Sequence, residues 1–350
     1  MAITKRCSGA AGSIAGSTGS RCTNPSPARW RSEAVTGAGT LSVIVPTRNR
    51  AAVLRLSLPR LFTQTLAPDA YEVIVVDDAS SDDTEAVLRE FARENLVVTR
   101  LAVHAAAAAA RNRALELARG DTLVFLDDDC LVAPDFLQQH AAAQARRPGS
   151  VVTGPIVDVL EPPAEASPPR HRFAGWHRNP FPTGNVSVAR ADIVAAGGFD
   201  EDFTAYGWED PEMFERLALR GLKRRYCGAA PVFHYKPPAM RRAFFDRIRL
   251  ERERGAMGAL FYAKHRRLSV GWRTKQLGAI RLLDRLVDRV ADLDGRLAAA
   301  SETGREPNSA WLRLLLVNHA EIEAGWRMWE RLGPEKRAAL RAAALRRTAN

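Results

Sequence analysis

The stretch Asp121-Thr-Leu-Val-Phe-Leu-Asp127-Asp128-Asp129 is an apolar run that ends in three consecutive acidic residues. The apolar part predicts a buried β-strand over 122–126, which puts the three carboxylates at the end of a strand. Adjacent carboxylates repel one another unless a cation lies among them, and oxygen ligands of this kind suit Mg²⁺ or Mn²⁺. The stretch therefore predicts a metal site at the edge of a sheet.

Two earlier segments have the same form, because a β-branched run over 41–46 ends at Pro46-Thr47 and another over 71–78 ends at Asp77-Asp78. Helical patterns follow each of them. This alternation favours right-handed βαβ units with a parallel sheet, and such sheets bind ligands beyond the carboxyl ends of their strands. We therefore expect the three strand ends to meet at one crevice.

A second acidic site follows about eighty residues later, in Tyr206-Gly-Trp208-Glu209-Asp210. Its two acidic residues precede a predicted helix over 211–221, and a strand-like run over 183–190 lies upstream. Two acidic sites of this kind indicate a metal-dependent group-transfer enzyme that handles a diphosphate. Neither a GxGxxG turn nor a GxxxxGK[ST] loop is present, which disfavours NAD binding and a P-loop.

Charge is unevenly spread along the 350 residues, whose formal net charge is +11. Residues 40–240 carry a net charge of −4, whereas residues 241–350 carry 24 Lys and Arg against 13 acidic residues. Such a basic segment can meet nucleic acid, anionic lipid or a phosphorylated substrate. Its arginines alternate with acidic residues at helical spacing, which is typical of a solvated helix face, and no aromatic-interleaved basic motif predicts nucleic-acid binding.

Three regions follow from these patterns. Residues 1–39 are rich in Ser, Gly, Ala and Thr and are expected to form a disordered leader, residues 40–240 a catalytic domain, and residues 241–350 a basic helical region broken at 302–309. The four cysteines have no metal-ligand spacing, and the chain has neither a long apolar run nor a signal peptide pattern. The cytoplasm is therefore the expected location.

Seven short motifs, in order, resemble those of the family-2 glycosyltransferases with the GT-A fold. The motifs, which cover about 41–236 with the closing Phe233-His234-Tyr, are Ser42-Val-Ile-Val-Pro-Thr-Arg-Asn49, Val75-Val-Asp77-Asp78-Ala-Ser-Ser-Asp82, Ala110-Arg111-Asn112, Phe125-Leu-Asp127-Asp128-Asp129, Gly184-Asn185, Gly197-Gly-Phe199-Asp200 and Trp208-Glu209-Asp210. The resemblance implies an α/β GT-A fold, with a Rossmann-like, mostly parallel central sheet flanked by helices, plus the C-terminal helical region. It also implies inverting transfer of a sugar from a nucleoside-diphosphate sugar to an acceptor hydroxyl.

The resemblance further implies roles for individual residues. A Mn²⁺ or Mg²⁺ ion is expected on Asp129, Asp127 and His234. Asp210 is expected to be the general base that takes the proton of the acceptor hydroxyl. Donor nucleotide contacts are expected from Pro46, Thr47, Asp78, Arg111, Asp127 and Asp128. Sugar or acceptor contacts are expected from Gly184, Asn185, Trp208 and Glu209.

Plainer interpretations stay open for several of these residues. Glu209-Asp210 can also cap the helix that begins near Pro211, Trp208 can be a packing residue, and Arg111 can be an exposed helix arginine. The family usually has Gly-Pro before the alanine-rich helix, whereas this chain has His104-Ala105-Ala106, which puts the donor-sugar contacts in doubt.

Partners and rival functions can also be named. The expected donor is a nucleotide sugar, first of all a UDP-sugar. The expected acceptor is a hydroxyl of a sugar, a lipid-linked sugar or a small molecule, for polysaccharide, glycolipid or natural-product glycosylation. Peripheral contact with the inner face of the membrane through 241–350 is a further hypothesis, and no nucleic acid is expected. The rival functions are a sugar nucleotidyltransferase and a non-catalytic sugar-binding scaffold.

Overall fold

The computed structural model describes residues 40–163, 179–237 and 243–349. The strands in these ranges are β1 (Leu41–Thr47), β2 (Tyr71–Asp77), β3 (Leu96–Arg100), β4 (Thr122–Phe125), β5 (Cys130–Val132), β6 (Ser150–Thr153), β7 (Ile156–Val159), β8 (Val186–Ala189), β9 (Lys223–Tyr226) and β10 (Val232–Tyr235). The helices in the same ranges are α1 (Ala51–Phe62), α2 (Thr84–Glu90), α3 (Ala106–Leu117), α4 (Phe136–Arg146), α5 (Arg190–Ala195), α6 (Glu209–Leu219), α7 (Phe244–Lys264), α8 (Leu268–Arg273), α9 (Gly278–Ala291), α10 (Leu293–Thr303) and α11 (Ala310–Ala349), which is kinked at Gly333.

Seven strands form the central sheet in the order β3-β2-β1-β4-β8-β6-β9. The neighbours β3, β2, β1 and β4 all run parallel, β8 is antiparallel to both β4 and β6, and β9 is parallel to β6. This arrangement confirms the predicted α/β class with a mostly parallel sheet.

The alternation of side chains along β1 and β2 builds a core on each face of this sheet. Ile44 and Ile74 pack on one face with the small residues of α3, whereas Val43 and Val73 pack on the other face with the leucines of α1. A parallel sheet covered on both faces by helices needs apolar residues at nearly every strand position. This explains why both segments read as unbroken β-branched runs.

The strands predicted at 41–46, 71–78 and 122–126 are confirmed as β1, β2 and β4. Local patterns also predict a helix over 84–94 and a strand over 96–103, and both elements end earlier, at Glu90 and at Arg100. Local sequence patterns did not predict β5, α4, β7, β9 or β10. β5 has only three residues and β9 reads Lys-Arg-Arg-Tyr, so neither has an apolar period. The predicted leader over 1–39 lies outside the described residues.

A second, three-stranded sheet with the order β5-β10-β7 lies beside the acidic run. β10 is antiparallel to β5 and parallel to β7, so His234 pairs with Cys130 on one side and with Asp158 on the other. This register brings a histidine more than a hundred residues distant next to Asp129.

The C-terminal helices are joined to α6 and its preceding loop by buried polar contacts. On α7, Lys264 lies 2.5 Å from Asp200. Glu212 on α6 accepts hydrogen bonds from Arg216, and its Oε1 lies 2.9 Å from His265 Nε2. The helical region predicted from 241 onward is thus tied to residues 40–240. None of the helices in the described ranges is long and apolar enough to cross a bilayer.

We predict that Glu212→Gln lowers the free energy of unfolding by about 3–5 kcal/mol at pH 7, because it leaves the buried Arg216 without a counter-charge. Burial opposes ionisation of Glu212, but Arg216 and His265 outweigh it and lower its pKa to about 2. Since the folded pKa lies below the ordinary 4.5, this stabilisation is complete above that pH and disappears as the pH falls towards 2. Urea titrations across this pH range measure both effects.

Glu116→Gln is the matched control, because Glu116 pairs with Arg113 on an exposed helix surface. Surface pairs of this type are worth at most about 1 kcal/mol. An equal loss of stability in the two variants would mean that the buried network contributes nothing beyond a surface ion pair.

Candidate active site

The carboxyl ends of β1, β2 and β4 open onto one cavity of about 1050 Å³. β1 lies between the other two strands with all three parallel, so the residues that follow them share one edge of the sheet. The residues of the sequence analysis that line the cavity are Pro46, Thr47, Asp78, Arg111, Asp127, Asp128, Asp129 and His234.

Asp128 is bound to the end of β1. Its Oδ2 accepts a hydrogen bond of 2.6 Å from Thr47 Oγ1, and its Oδ1 lies 3.9 Å from Arg50. Burial raises the pKa of Asp128 to about 7, although the hydrogen bond from Thr47 opposes this rise. Asp128 therefore links the first loop to the acidic run.

Asp78, at the end of β2, is held by the loop that precedes α3. Its Oδ2 lies 2.6 Å from His104 Nδ1, and its Oδ1 accepts a hydrogen bond of 2.8 Å from the Ala105 amide. His104 also lines the cavity. The departure from the Gly-Pro pattern thus places an imidazole directly on the aspartate expected to contact the nucleotide.

Asp129 and His234 meet across the β5–β10 pair, with Nε2 of His234 3.0 Å from Asp129 Oδ1. The other ring nitrogen, Nδ1, lies 3.2 Å from Asp158, which is itself paired with Lys236 at 2.8 Å. Burial lowers the pKa of His234, but the contact with Asp129 outweighs it and raises the pKa above its ordinary value. Both ring nitrogens therefore face carboxylates, and Nε2 is directed at Asp129.

A divalent cation fits the side chains at this point. Carboxylate oxygens of Asp127 and Asp129 and the sulfur of Cys130 lie within 4.8 Å of one another. Burial, together with the neighbouring acids, raises the pKa of the Cys130 thiol well above its usual range, so the sulfur is a poor ligand. Asp127 and Asp129 thus offer carboxylate oxygens of the kind that suit Mn²⁺ or Mg²⁺, and His234 lies beside Asp129 but outside this group of three side chains.

Arg111 connects this acidic run to the second acidic motif. Its side chain is only 5% exposed, so it is not the exposed helix arginine considered above. The guanidinium lies 3.7 Å from Asp127, 3.3 Å from Glu209 and 3.5 Å from Asp210. One buried cation therefore lies between three carboxylates from two distant segments of the chain.

Asp210 has one occupied and one free carboxylate oxygen. Its Oδ2 accepts hydrogen bonds from Asn179 and from the amide and hydroxyl of Thr183. Among the described residues, no hydrogen-bond donor reaches the buried Oδ1, whose nearest cation is Arg111. The free oxygen is a feature of a carboxylate that can accept a proton from a ligand.

Burial raises the pKa of both Glu209 and Asp210. For Glu209 the charge on Asp210 adds to this rise, and the pKa reaches about 6 even though Arg111 lowers it. For Asp210, Arg111 and the hydrogen bonds from Thr183 hold the rise in check. Neither residue lines the cavity directly; both contact it through Arg111.

Trp208 is a packing residue in this structure. Its indole is 7% exposed, and Nε1 donates a 2.8 Å hydrogen bond to the carbonyl of Arg254 on α7. The backbone at Trp208 has φ of 76°, in the left-handed region. Trp208 therefore packs inside the protein and does not line the cavity.

Gly184 and Asn185 occupy different environments. A Cβ atom on Gly184 would lie 2.9 Å from Asp127 Oδ2, so glycine permits the loop to approach the acidic run. Asn185 is fully buried, donates to the carbonyls of Pro155 and Ala230, and lies 2.9 Å from Nε2 of His140. The structure does not bring Asn185 to the cavity.

Several residues that line the cavity were not predicted from the sequence. Asp158 lies on the short strand β7, which has no motif, and Lys236 directly follows β10, so the pairing of β7 with β10 is what brings them to the cavity. Arg50 lies in the first loop, 3.9 Å from Asp129, and its position two residues after the motif Pro-Thr-Arg was the available signal. Helix α7 and its neighbourhood contribute a further wall formed by Tyr206, Arg247, Leu250 and Glu251.

Comparison with known families and structures agrees with this arrangement. Residues 42–200 match the family model described as glycosyl transferase family 2. Residues 173–253 match a second model, described as the N-terminal domain of galactosyltransferase. The first match contains both the first strand and the acidic run.

Curated relatives and a solved structure extend this result. Validoxylamine A glucosyltransferase of Streptomyces hygroscopicus subsp. limoneus is 35% identical over 219 residues, which cover 52% of this chain and 48% of that protein. Chondroitin synthase of Escherichia coli is 28% identical over 242 residues, or 57% of this chain and 35% of that one. The chain thus spans about half the length, or less, of these relatives.

Among solved structures, the mannosyltransferase PcManGT of Pyrobaculum calidifontis, in complex with GDP-Man and Mn²⁺, superposes with a TM-score of 0.55. It has 22% sequence identity and covers 86% of this chain and 89% of that one, a level of likeness that shows a shared fold. The matching family model, the named relatives and this fold agree with one another. Residues 42–200 therefore carry a glycosyl transferase family 2 domain, and the fold is of the GT-A type.

Proposed function

We propose that the chain transfers a sugar, with inversion, from a nucleoside-diphosphate sugar to the hydroxyl of an acceptor, with the help of a divalent cation. The observation that carries this proposal is the contact of Arg111 with both acidic motifs. Through it, the acidic pair suited to a cation and the carboxylate with a free oxygen belong to one connected site.

Binding of the donor is assigned to the ends of β1 and β2. Pro46 and Thr47 offer the backbone, and Asp78, held between His104 and the Ala105 amide, offers carboxylate oxygens to the base. Asp127, Asp129 and His234 would hold the cation, which when bound supplies positive charge to the departing diphosphate. Arg111 supplies a fixed positive charge on the same side of the cavity.

In the transfer, the acceptor oxygen forms a bond to the anomeric carbon as the bond from that carbon to the phosphate oxygen breaks. The electron pair leaves with the nucleoside diphosphate, and the acceptor proton moves to Asp210 Oδ1. This oxygen is buried beside Arg111, so the proposal requires that binding of the acceptor exposes it to the cavity. A carboxylate suits this role because the hydroxyl becomes acidic only as it attacks. The ion pair with Arg111 favours the ionised form of Asp210, in which it can act as the base.

The substrates are proposed only by class. A UDP-sugar is the first candidate donor, and the acceptor is a sugar, a lipid-linked sugar or a small molecule. The free thiols of Cys130 and Cys227 agree with a cytoplasmic location. A sugar nucleotidyltransferase would release pyrophosphate, whereas the proposed reaction releases a nucleoside diphosphate, so the identity of the product separates these two functions.

Binding of the donor should depend on the divalent cation. In isothermal titrations with UDP, GDP, CDP and dTDP, we expect one diphosphate to bind with Mn²⁺ and to lose most of its affinity in EDTA. Asp129→Ala should weaken that binding by at least about a hundred-fold, because it removes a cation ligand.

Asp135→Asn is the control for this titration, because Asp135 lies six residues downstream, does not line the cavity, and accepts a hydrogen bond from Gln139 at the start of α4. It should bind as the unmodified protein does. No binding of any diphosphate would favour the scaffold function, and binding unaffected by EDTA would contradict the cation.

If Asp210 is the base, its replacement should lower turnover and leave donor binding unchanged. Asp210→Asn removes the proton acceptor but keeps the size and polarity of the side chain, so kcat should fall by about 10²–10⁴-fold. Titration of the donor diphosphate should stay within about three-fold of the original affinity, because Asp210 is not among the residues assigned to the donor. The rate of sugar transfer is measured by the amount of nucleoside diphosphate released.

Asp69→Asn, at an exposed carboxylate, serves as the control for this substitution. If Asp210→Asn weakened diphosphate binding as much as turnover, Asp210 would belong to the donor site and not to the proton transfer.

The charge of Arg111 should set the pH dependence of turnover. Replacing Arg111 by Gln removes the cation that lowers the pKa of Asp210 and Glu209, so both pKa values should rise further. Because the base acts in its ionised form, the acid limb of the kcat profile should move to higher pH by about one to three units. Arg111→Lys keeps the charge and should restore much of the original limb. A profile displaced equally by Lys and Gln would point to a role in shape and not in charge.

A further inference from the structure

Helix α9 turns an apolar face away from the rest of the protein. Leu282 is 61% exposed, Leu283 63%, Leu286 51% and Val290 89%. Their spacing of one, four and eight residues places all four on a single side of the helix. Exposed apolar side chains scattered singly are ordinary, but four on one face of a fourteen-residue helix form a continuous apolar strip.

The opposite side of α9 is polar, and it faces the protein. Asp284 is the buried residue of this helix, and its carboxylate lies 3.0 Å from Nδ1 of the buried His319 on α11. Arg281 donates a 2.8 Å hydrogen bond to Glu330 and stacks 4.5 Å from the ring of Trp326. Polar contacts therefore fix which side of α9 points inward.

This orientation is the reverse of that of an ordinary surface helix, which buries its apolar side and solvates its polar side. Only one edge of α9 follows the ordinary rule, where Val287 and Ala291 pack on the small core of Leu293 and Leu316. The helix is thus held in place by its charged groups while its strip of leucine and valine contacts water.

Basic side chains border the apolar strip. Arg285 and Arg289 are exposed and follow Leu282 and Leu286 by three positions, which puts them along one side of the strip. The region around them is also positive, because residues 241–350 carry 24 Lys and Arg against 13 acidic residues. An apolar strip bordered by arginines is the pattern of a helix that lies in the headgroup region of an anionic bilayer.

We propose that α9 docks on the surface of an anionic lipid bilayer. Leu282, Leu283, Leu286 and Val290 enter the boundary between headgroups and acyl chains, while Arg285 and Arg289 contact lipid phosphates. The preceding helix α8 adds exposed Leu268 and Trp272, and tryptophan favours this boundary. α9 lies on the bilayer and does not cross it.

The charge on this face favours lipid over a second copy of the chain. In a two-fold symmetric dimer, the same face meets itself, so each copy would bring the same two arginines to the contact. Like charges next to a shared apolar patch weaken such a pairing, whereas the phosphates of anionic lipids complement it.

Flotation of the full chain with vesicles tests this proposal. We expect binding to phosphatidylcholine vesicles that contain about 30% phosphatidylglycerol, weak binding to pure phosphatidylcholine, and weaker binding at high salt. Replacing Leu282, Leu286 and Val290 together by Ser should lower the bound fraction by at least about ten-fold. Arg285→Glu with Arg289→Glu should give a loss of similar size, also about ten-fold.

Matched variants distinguish a docking face from a general effect of polarity or charge. Leu56, Val194 and Leu219 lie within 40–240 and are also exposed, at 38%, 55% and 50%, so the variant with all three replaced by Ser should float like the original protein. Arg119→Glu with Arg147→Glu makes the same change of net charge at exposed sites away from α9 and should keep most of the binding. Circular dichroism verifies that each variant is folded.

Three results would overturn the proposal. The original protein could fail to bind anionic vesicles, or the Ser variant of α9 could bind them undiminished. Light scattering could also show a dimer that the Ser variant of α9 splits into monomers while neither protein binds vesicles. That last result would identify a second copy of the chain as the occupant of the strip.

Discussion

Arg111 is the charge on which the site is organised. Its guanidinium lies within 3.7 Å of carboxylates on Asp127, Glu209 and Asp210, in a place where its own side chain is almost fully buried. Without a cation, carboxylates so close together and so poorly solvated would take up protons. The small residues of α3, such as Ala110 and Ala114, pack in the core beside the sheet and set the direction in which Arg111 projects. The helix that shapes the core thus also delivers the charge.

The fold could be predicted wherever one segment carried the whole signal. β1, β2 and β4 are buried on both faces, so their β-branched runs were visible without knowledge of their partners. β7 and β9 gave no such signal, because β7 is partly exposed and β9 is a basic edge strand. α4 begins with Phe136 and Leu137, but Gln and His follow, and the buried His140 and Gln144 that bond Ser187 look polar in sequence.

The acidic residues of the site could be predicted from the sequence, but several of the side chains around them could not. Asp78 and the run from Asp127 to Asp129 are placed by their own strands, and strand ends in a parallel sheet meet by construction of the fold. Asp158 reaches His234 only through the register of β7 and β10, a long-range pairing that no local pattern encodes. Asn185 is the converse case. Its motif suggested a ligand contact, but its amide instead joins Pro155, Ala230 and His140 inside the protein.

The left-handed backbone of Trp208 affects whether residues 40–240 could work when joined to a different C-terminal region. A bulky side chain with φ of 76° is held against its preference, at a cost of roughly 1–3 kcal/mol that surrounding contacts must offset. Here the offsetting contacts come from α7, through the Arg254 carbonyl and the ring of Phe261. Trp208 immediately precedes Glu209 and Asp210, so the conformation of the acidic pair depends on a helix outside the motifs. Recombination that joined residues 40–240 to an unrelated tail would transplant every motif and still lose the backbone turn that aims them.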